Sequence, residues 1–265
     1  MNKAVWLLGA LIAASGILFL YQDHRIKTDA AQRALLIVGT SAEYQPFTFI
    51  QDDRIIGFEI EIAQEIVNRL DKNIQLYDMP FDTLIPEAQL GNIQLIAAGL
   101  TPTPERAEQL LFTEPYLIND PLVVITKKPF SIQSLKDLVG KRVVVNEGYT
   151  ADFYMTKQEN IILRRMTTPA NAMAALEHEA VDAFVTARNC AKHCTNHNGI
   201  YKFNMFTIPS TNESYSLAIA KKHAKLLPDI SKALNGLKQD GTLQKLKQKW
   251  HIAGTIKEVN SSSVS

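Results

Sequence analysis

Short apolar runs and helical patterns alternate along this chain. "ALLIVGT", "IQLIAAG", "PLVVITKK", "KRVVVNEG", "NIILRRM", "VDAFVT" and "SYSLAIAKK" are compact apolar stretches bounded by Gly, Pro or charge, the pattern of buried strands. Between them, "EIEIAQEIVNRL" places Ile60, Ala63, Ile66, Val67 and Leu70 on one helical face. "FDTLIPEAQL" reads as a second helix and "SIQSLKDLVG" as a capped helix ending at Gly140. "TPANAMAALEHE" offers Thr168 as N-cap and Pro169 at the first helical position. "HAKLLPDISKALNGLKQDGTLQKLKQKW" is a helix pair broken at Asp240-Gly241, and "FTFIQDDRIIGFE" has hairpin chemistry around Asp52-Asp53. The β–α–β order runs from 35 to 112 and then restarts. Two α/β units with a cleft between them are expected, with ligands outside the carboxyl ends of the strands, where Gly99–Thr101 and Gly148–Thr150 fall.

The ends differ from this body. After Lys3 the chain is uncharged from Ala4 to Tyr21. Eighteen helical residues span roughly 27 Å, close to the hydrocarbon core of a bilayer. Residues 1–21 therefore form a signal peptide or a membrane anchor. Ala14 and Gly16 frame a cleavage point, but cleavage would leave the apolar "ILFLY", which favours the anchor slightly. No Cys follows the run, so it is no lipoprotein anchor. Residues 22–34 read as a polar linker and 258–265 as a disordered tail.

Charge excludes one large class of partner. The 265 residues carry 28 basic and 27 acidic side chains, a net +1 without the basic excess of a nucleic-acid binder. No Walker A, Gly-x-Gly-x-x-Gly, His-Glu-x-x-His or Gly-x-Ser-x-Gly motif is present, so no cofactor is implied.

One cation stands out. In "GLTPTPERAEQLLF" Arg106 lies just inside a helix start, after a strand and two hydroxyl residues. A solvated first-turn residue is one reading, although the macrodipole slightly disfavours a cation there. An anion site built from strand end, hydroxyls, helix N-terminus and guanidinium is the other.

The wider chain resembles the periplasmic solute-binding proteins for polar amino acids, the receptors of ABC importers. "LIVGTSAEYQPFTF…GFEIEIAQEI", "FDTLIPEAQLGNIQLIAAGLTPTPERAEQLLFTEPY", "LKDLVGKRVVVNEGYT", "AALEHEAVDAFV" and "LKQDGTLQKLKQKW" carry the match in order, over residues 35–250. The resemblance implies a two-lobed type II periplasmic binding protein fold, each lobe a mixed sheet flanked by helices. Lobe 1 would hold 35–117 and 215–257, lobe 2 would hold 122–211, and strands near 118–121 and 212–215 would form the hinge.

It also implies the site. Arg106 would hold a ligand α-carboxylate bidentately, with Thr101 and the backbone at Gly99. Gly148-Tyr149-Thr150 would bring a helix N-terminus from the other lobe to the same carboxylate. Tyr44 and Phe81 would flank the ligand side chain, and Phe47 would pack in the core. Ser41 stands where many relatives carry an acid that reads a cationic side chain, and Asn146 and Thr186 match pocket-facing positions. The family's ammonium-binding aspartate is replaced by Ala187, followed by Arg188, while Asp182 matches a structural strand-start aspartate. Burying an unpaired ammonium would cost several kcal/mol. Either another acid such as Glu43 takes it, or the ligand lacks a free amine, or Arg188 turns inward.

"CAKHCTNH" puts Cys190, His193, Cys194 and His197 on one helical face. Four such positions span roughly 10 Å along a helix, too far to converge on one ion. A Cys190–Cys194 disulfide is preferred in an oxidising compartment, ahead of thiols and then metal.

The function expected is a monomeric, non-enzymatic periplasmic receptor delivering an amino acid or related small carboxylate to an inner-membrane ABC permease, with the membrane touched only by the amino terminus. An anchored sensor acting on a partner protein is the alternative. A dehydratase-type enzyme ranks below both, because Ala187 removes the most obvious cleft carboxylate.

Overall fold

The computed structural model of the chain describes residues 33–197 and 199–257. The signal or anchor, the linker up to residue 32 and the tail from 258 lie outside them. Among the described residues no helix is long and apolar enough to cross a membrane.

Two five-stranded sheets share one plan. In the first, Leu35–Thr40 lies between Asn73–Asp78 and Leu95–Ile96, both parallel to it, and Ala218–Ala220 returns antiparallel between Leu95–Ile96 and Leu110–Phe112. In the second, Arg142–Asn146 lies between Ile162–Met166 and Ala183–Ala187, again parallel, and Leu122–Lys127 runs antiparallel between Ala183–Ala187 and Phe203–Thr207. Each sheet is thus mixed, and helices cover it. The fold is the two-lobed type II arrangement.

Helix Phe58–Arg69 buries Phe58, Ile62, Ala63, Ile66 and Val67 against a core that includes Leu36, Val38, Leu95 and Leu237. Of the expected face, Ala63, Ile66 and Val67 lie in this core, Leu70 packs on it partly buried, and Phe58 and Ile62 join them where Ile60 is expected. Leu237 belongs to helix Leu227–Gln239, which ends at Asp240 before Gly241 in the left-handed region starts helix Thr242–Lys249. In the second sheet, Val124, Val143, Val145 and Val185 pack on one side, and Val123, Ile125, Val144 and Phe184 on the other. That two-sided burial explains why these strands read as unbroken apolar runs.

The hairpin forms between Thr48–Gln51 and Arg54–Ile56. Asp52 and Asp53 both take positive φ (50° and 57°), the geometry of a type I′ turn. Two expected elements shrink. "SIQSLKDLVG" yields only a 3-10 turn, Leu135–Leu138, closed by a Ser134–Asp137 capping box. "IQLIAAG" is a strand only at Leu95–Ile96; Ala97 still donates to the Gly39 carbonyl, and at Gly99 (φ 62°) the chain turns out of the sheet.

Two strands connect the sheets. Leu117–Asp120 and Glu213–Tyr215 pair antiparallel, with Glu213 opposite Asp120 and Tyr215 opposite Leu117. The Tyr215 hydroxyl donates to Asp120 Oδ2 at 2.7 Å, and Asp120 Oδ1 accepts the Asn189 N–H, which ties the pair to the second sheet's helix Arg188–His197.

Candidate functional site

The short helix Pro104–Ala107 explains how Arg106 reaches the cleft. Thr103 caps it, accepting the Arg106 N–H, so the backbone at this position is satisfied and the side chain is free to leave the helix. Arg106 as a whole is only 6 % exposed. Nη1 donates to the Thr101 carbonyl at 2.8 Å, and Nη2 crosses to the Gly148 carbonyl at 2.9 Å. The rings of Phe81 and Phe153 lie 5.6 and 5.8 Å from its central carbon. Burial pushes the guanidinium down to about 10, against the pull of Glu213 and Glu105. A cation held in this way keeps its remaining N–H donors for an anion.

The loop that receives Nη2 is itself braced. The Gly148 N–H donates to Asp152 Oδ2 at 3.1 Å, and Asp152 pairs with Arg165. The amide of Gly148 is therefore already spent on its own helix, and what it offers Arg106 is a carbonyl. Thr150 opens helix Thr150–Met155 and donates its hydroxyl to Glu213 Oε2 at 2.7 Å. Thr101 donates to the same oxygen at 2.6 Å.

Aromatic rings form the adjoining wall. Phe81 and Tyr149 lie 4.5 Å apart between centroids, and Tyr149 meets Tyr44 edge-on at 5.5 Å. Tyr44 stacks on Phe47, and its hydroxyl lies 3.4 Å from that of Tyr215. Gly99 passes so close beneath Tyr44 that an added Cβ would fall 2.7 Å from the ring. The Gly99 N–H donates to the buried carboxylate of Glu59, whose titration burial raises to about 8.

Two cavities open beside Phe81. One of about 1030 Å³ is lined by Arg106, Gly148, Thr150 and Phe153 among others. The other, about 330 Å³, is walled by Glu43, Asp78, Asp82 and Glu147 together with Met79, Pro80, Phe81, Thr167 and Thr168. Burial and the neighbouring Asp78 raise the Glu43 carboxyl.

Residues 36–253 match the family model of bacterial extracellular solute-binding proteins, family 3. The chain belongs to that family. It is similar to an arginine-binding extracellular protein of Bacillus subtilis, 32% identical over 81% of this chain and 85% of the relative. A probable histidine-binding protein of Campylobacter jejuni is 29% identical over 91% and 96%. Among solved structures, an ancestral arginine-binding protein bound to glutamine superposes with a TM-score of 0.78 at 33% identity, covering 83% of this chain and 98% of that one.

In this solute-binding protein, Phe81, Thr101, Arg106 and Thr150 converge, with Tyr44 and Gly99 directly behind them. Ser41, Asn146 and Thr186 are buried and line neither of these cavities. Asn146 spends its amide on the Met166 carbonyl. Thr186 lies against the Cys190 thiol. Ala187 is buried opposite Leu122 in the second sheet. Asp182 grips Arg142 through three hydrogen bonds and so has the structural role expected of it.

The Cys190–Cys194 disulfide is not formed. The two sulfurs lie 4.0 Å apart in helix Arg188–His197, about twice a bonded S–S distance, because an unbroken turn puts both side chains on one face but holds their β-carbons wider apart than a disulfide allows. Among the described residues no group of three or more His, Cys, Asp or Glu could hold a metal ion.

Sequence reading missed Glu213, Asp78, Asp82, Glu147 and Phe153. Glu213 lies two positions before Tyr215, inside the segment assigned to the hinge, where its placement was the available signal.

Proposed function

We propose that this solute-binding protein is the amino-acid receptor of an ABC importer and that its ligand carries a cationic side chain. The carrying observation is the cavity beside Phe81. Four carboxylates line it, three from the first lobe's side of the cleft and Glu147 from the other, with no Lys, Arg or His among the lining residues. A neutral or anionic side chain would gain nothing there, whereas a guanidinium or ammonium would find acids on both sides. Ser41 brings no charge, so the acids at 43, 78, 82 and 147 take over the reading of the side chain. The similarity to arginine-binding relatives supports the same class.

The ligand's α-carboxylate docks on the open donors of Arg106. Its stem passes Phe81 and Tyr149, whose faces contact aliphatic groups and planar cations at low entropic cost. Because Arg106 and Thr101 come from one lobe and Gly148 and Thr150 from the other, a filled site favours closure of the lobes about the Leu117–Asp120 and Glu213–Tyr215 strands. The protein works as a monomer in the periplasm, delivered or held there by the Ala4–Tyr21 stretch. It hands its ligand to an inner-membrane permease and performs no covalent chemistry itself.

A thermal-shift series with L-arginine, L-lysine, L-histidine, L-glutamine and L-glutamate tests the reading. A ligand at 100-fold over its dissociation constant stabilises by roughly 2.7 kcal/mol. Arginine or lysine should give the largest shift. A shift from glutamine or glutamate alone would overturn the cationic assignment.

A further inference from the structure

An α-amino acid enters a buried cleft as a zwitterion, so its ammonium needs an anion close to the group that holds its carboxylate. Residue 187 provides no charge, being a buried alanine. The other acids differ in how they are engaged. Of those lining the Arg106 cavity, Asp152 is paired with Arg165, and Asp82 and Glu105 are exposed to solvent. Glu59 lies behind the Gly99 strand end and accepts its N–H. Asp120 is taken by the Tyr215 hydroxyl and the Asn189 N–H. Glu43 stands across Phe81 in the acidic cavity.

Glu213 is different. The residue is only 7 % exposed and lies on the strand Glu213–Tyr215 that connects the two sheets. Oε2 accepts the hydroxyls of Thr101 and Thr150, one from each lobe. Those two residues frame the Arg106 guanidinium, whose bonds go to the carbonyls of Thr101 and of Gly148, two positions before Thr150. Arg106 and Glu213 thus share neighbours, and the charge of Glu213 supports that of the guanidinium. A cation and an anion that share hydroxyl and carbonyl neighbours from both lobes present opposite charges, at the gap between the lobes, to a ligand bearing both.

We infer that Glu213 is the counter-ion of the ligand's α-ammonium, the role that Ala187 has vacated, either directly or through the Thr101 hydroxyl. This rests on the amino-acid-receptor reading and deepens it. The zwitterion inserts into the gap, its carboxylate toward Arg106 and its ammonium toward Glu213, so that charges alternate across the cleft. Selectivity for a free α-amine then resides in the hinge rather than at the strand end of the second lobe.

Titration calorimetry with L-arginine and with 5-guanidinopentanoic acid, which lacks only the α-amine, tests the assignment in wild type and Glu213→Gln. Glutamine keeps an acceptor for both threonine hydroxyls, and the melting temperature without ligand reports whether the fold survives. Arginine affinity should fall by roughly 30-fold or more, the loss for truncating one side of a buried charge pair. The des-amino acid should bind within about threefold of its wild-type affinity. Adding Ala187→Asp to Glu213→Gln should recover arginine binding. Glu213→Asp, which keeps the charge and withdraws it by one methylene, should show the same ordering with a smaller loss. Equal losses for both ligands would make Glu213 structural. A gain for arginine would mean that its carboxylate competes with the ligand's. Either result overturns the assignment. If wild type binds a different α-amino acid, that amino acid and its own des-amino form make the pair. If wild type binds no α-amino acid, the receptor reading falls first, and Glu213 with it.

Discussion

Arg106 of one lobe donates across the cleft to the backbone carbonyl of Gly148 in the other, at 2.9 Å. The same guanidinium therefore ties the lobes together, and under the proposed function it also offers its remaining donors to the ligand. Replacing it separates these roles. Arg106→Lys keeps the charge but loses the fork, and should weaken amino-acid binding by about 30-fold or more. Arg106→Ala should remove measurable binding in calorimetry. A ligand-induced shift that survived in the alanine protein would show that the carboxylate docks elsewhere.

The acidic cavity predicts a graded loss. Asp82→Asn and Glu147→Gln each remove one solvent-exposed carboxylate, so each should cost a cationic ligand about 0.5–1 kcal/mol, a few-fold in affinity. Together they should shift preference from arginine toward glutamine. The affinity ratio of the two ligands, measured on the double variant, is the deciding number.

Glu59 predicts a pH dependence with a definite sign. Burial raises its carboxyl to about 8 in the folded chain, from an ordinary value of 4.5. The folded state therefore binds a proton that the unfolded state has released. This contribution to stability is fully present below about 4.5 and is lost as pH rises through about 8, a change on the order of a few kcal/mol. Thermal melts between pH 6 and 9 should fall for wild type and stay flatter for Glu59→Gln, whose amide oxygen still accepts the Gly99 N–H. Parallel curves would mean that the carboxyl titrates normally.

Gly99 is restricted twice, by its φ of 62° and by the Tyr44 ring. Gly99→Ala should cost about 1–3 kcal/mol of stability. It should also reduce ligand affinity, because Tyr44 must move away from Tyr149. Unchanged affinity with lowered stability would separate the ring from the site.

The helical spacing of Cys190 and Cys194 predicts two thiols. Protein purified without reductant and unfolded in denaturant should react with two equivalents of a thiol reagent. A count of zero would mean that the helix opens to let them bond.

Arg106, Thr101, Gly99 and Thr150 were legible because each sits in a local signature, a strand end followed by a helix start, that a linear reading can see. The sheets were legible through their two-sided apolar runs. Those same runs hid which way strand-end side chains face, since burial on both sides removes the alternation that would tell. Asn146 and Thr186 are expected at the cleft; both are buried, Asn146 donates to the Met166 carbonyl, and Asn146 Oδ1 and Thr186 Oγ1 have no hydrogen-bond partner among the described residues. Glu213 was illegible for a different reason. It is 112 residues from Thr101 and 63 from Thr150, and only the hinge brings the three together. The acidic cavity likewise draws on four separate segments; Glu43, Phe81 and Thr168 each carry a local mark, but nothing in the linear sequence shows that the four meet.

The second lobe meets Arg106 with main chain. A carbonyl cannot be altered by exchanging the side chain of its residue, so drift in the second lobe leaves this interlobe bond in place. Side chains of the second lobe such as Glu147 and Thr150 can then change while the closing contact is inherited unchanged. Such a receptor can acquire a new diet without first having to reinvent its grip.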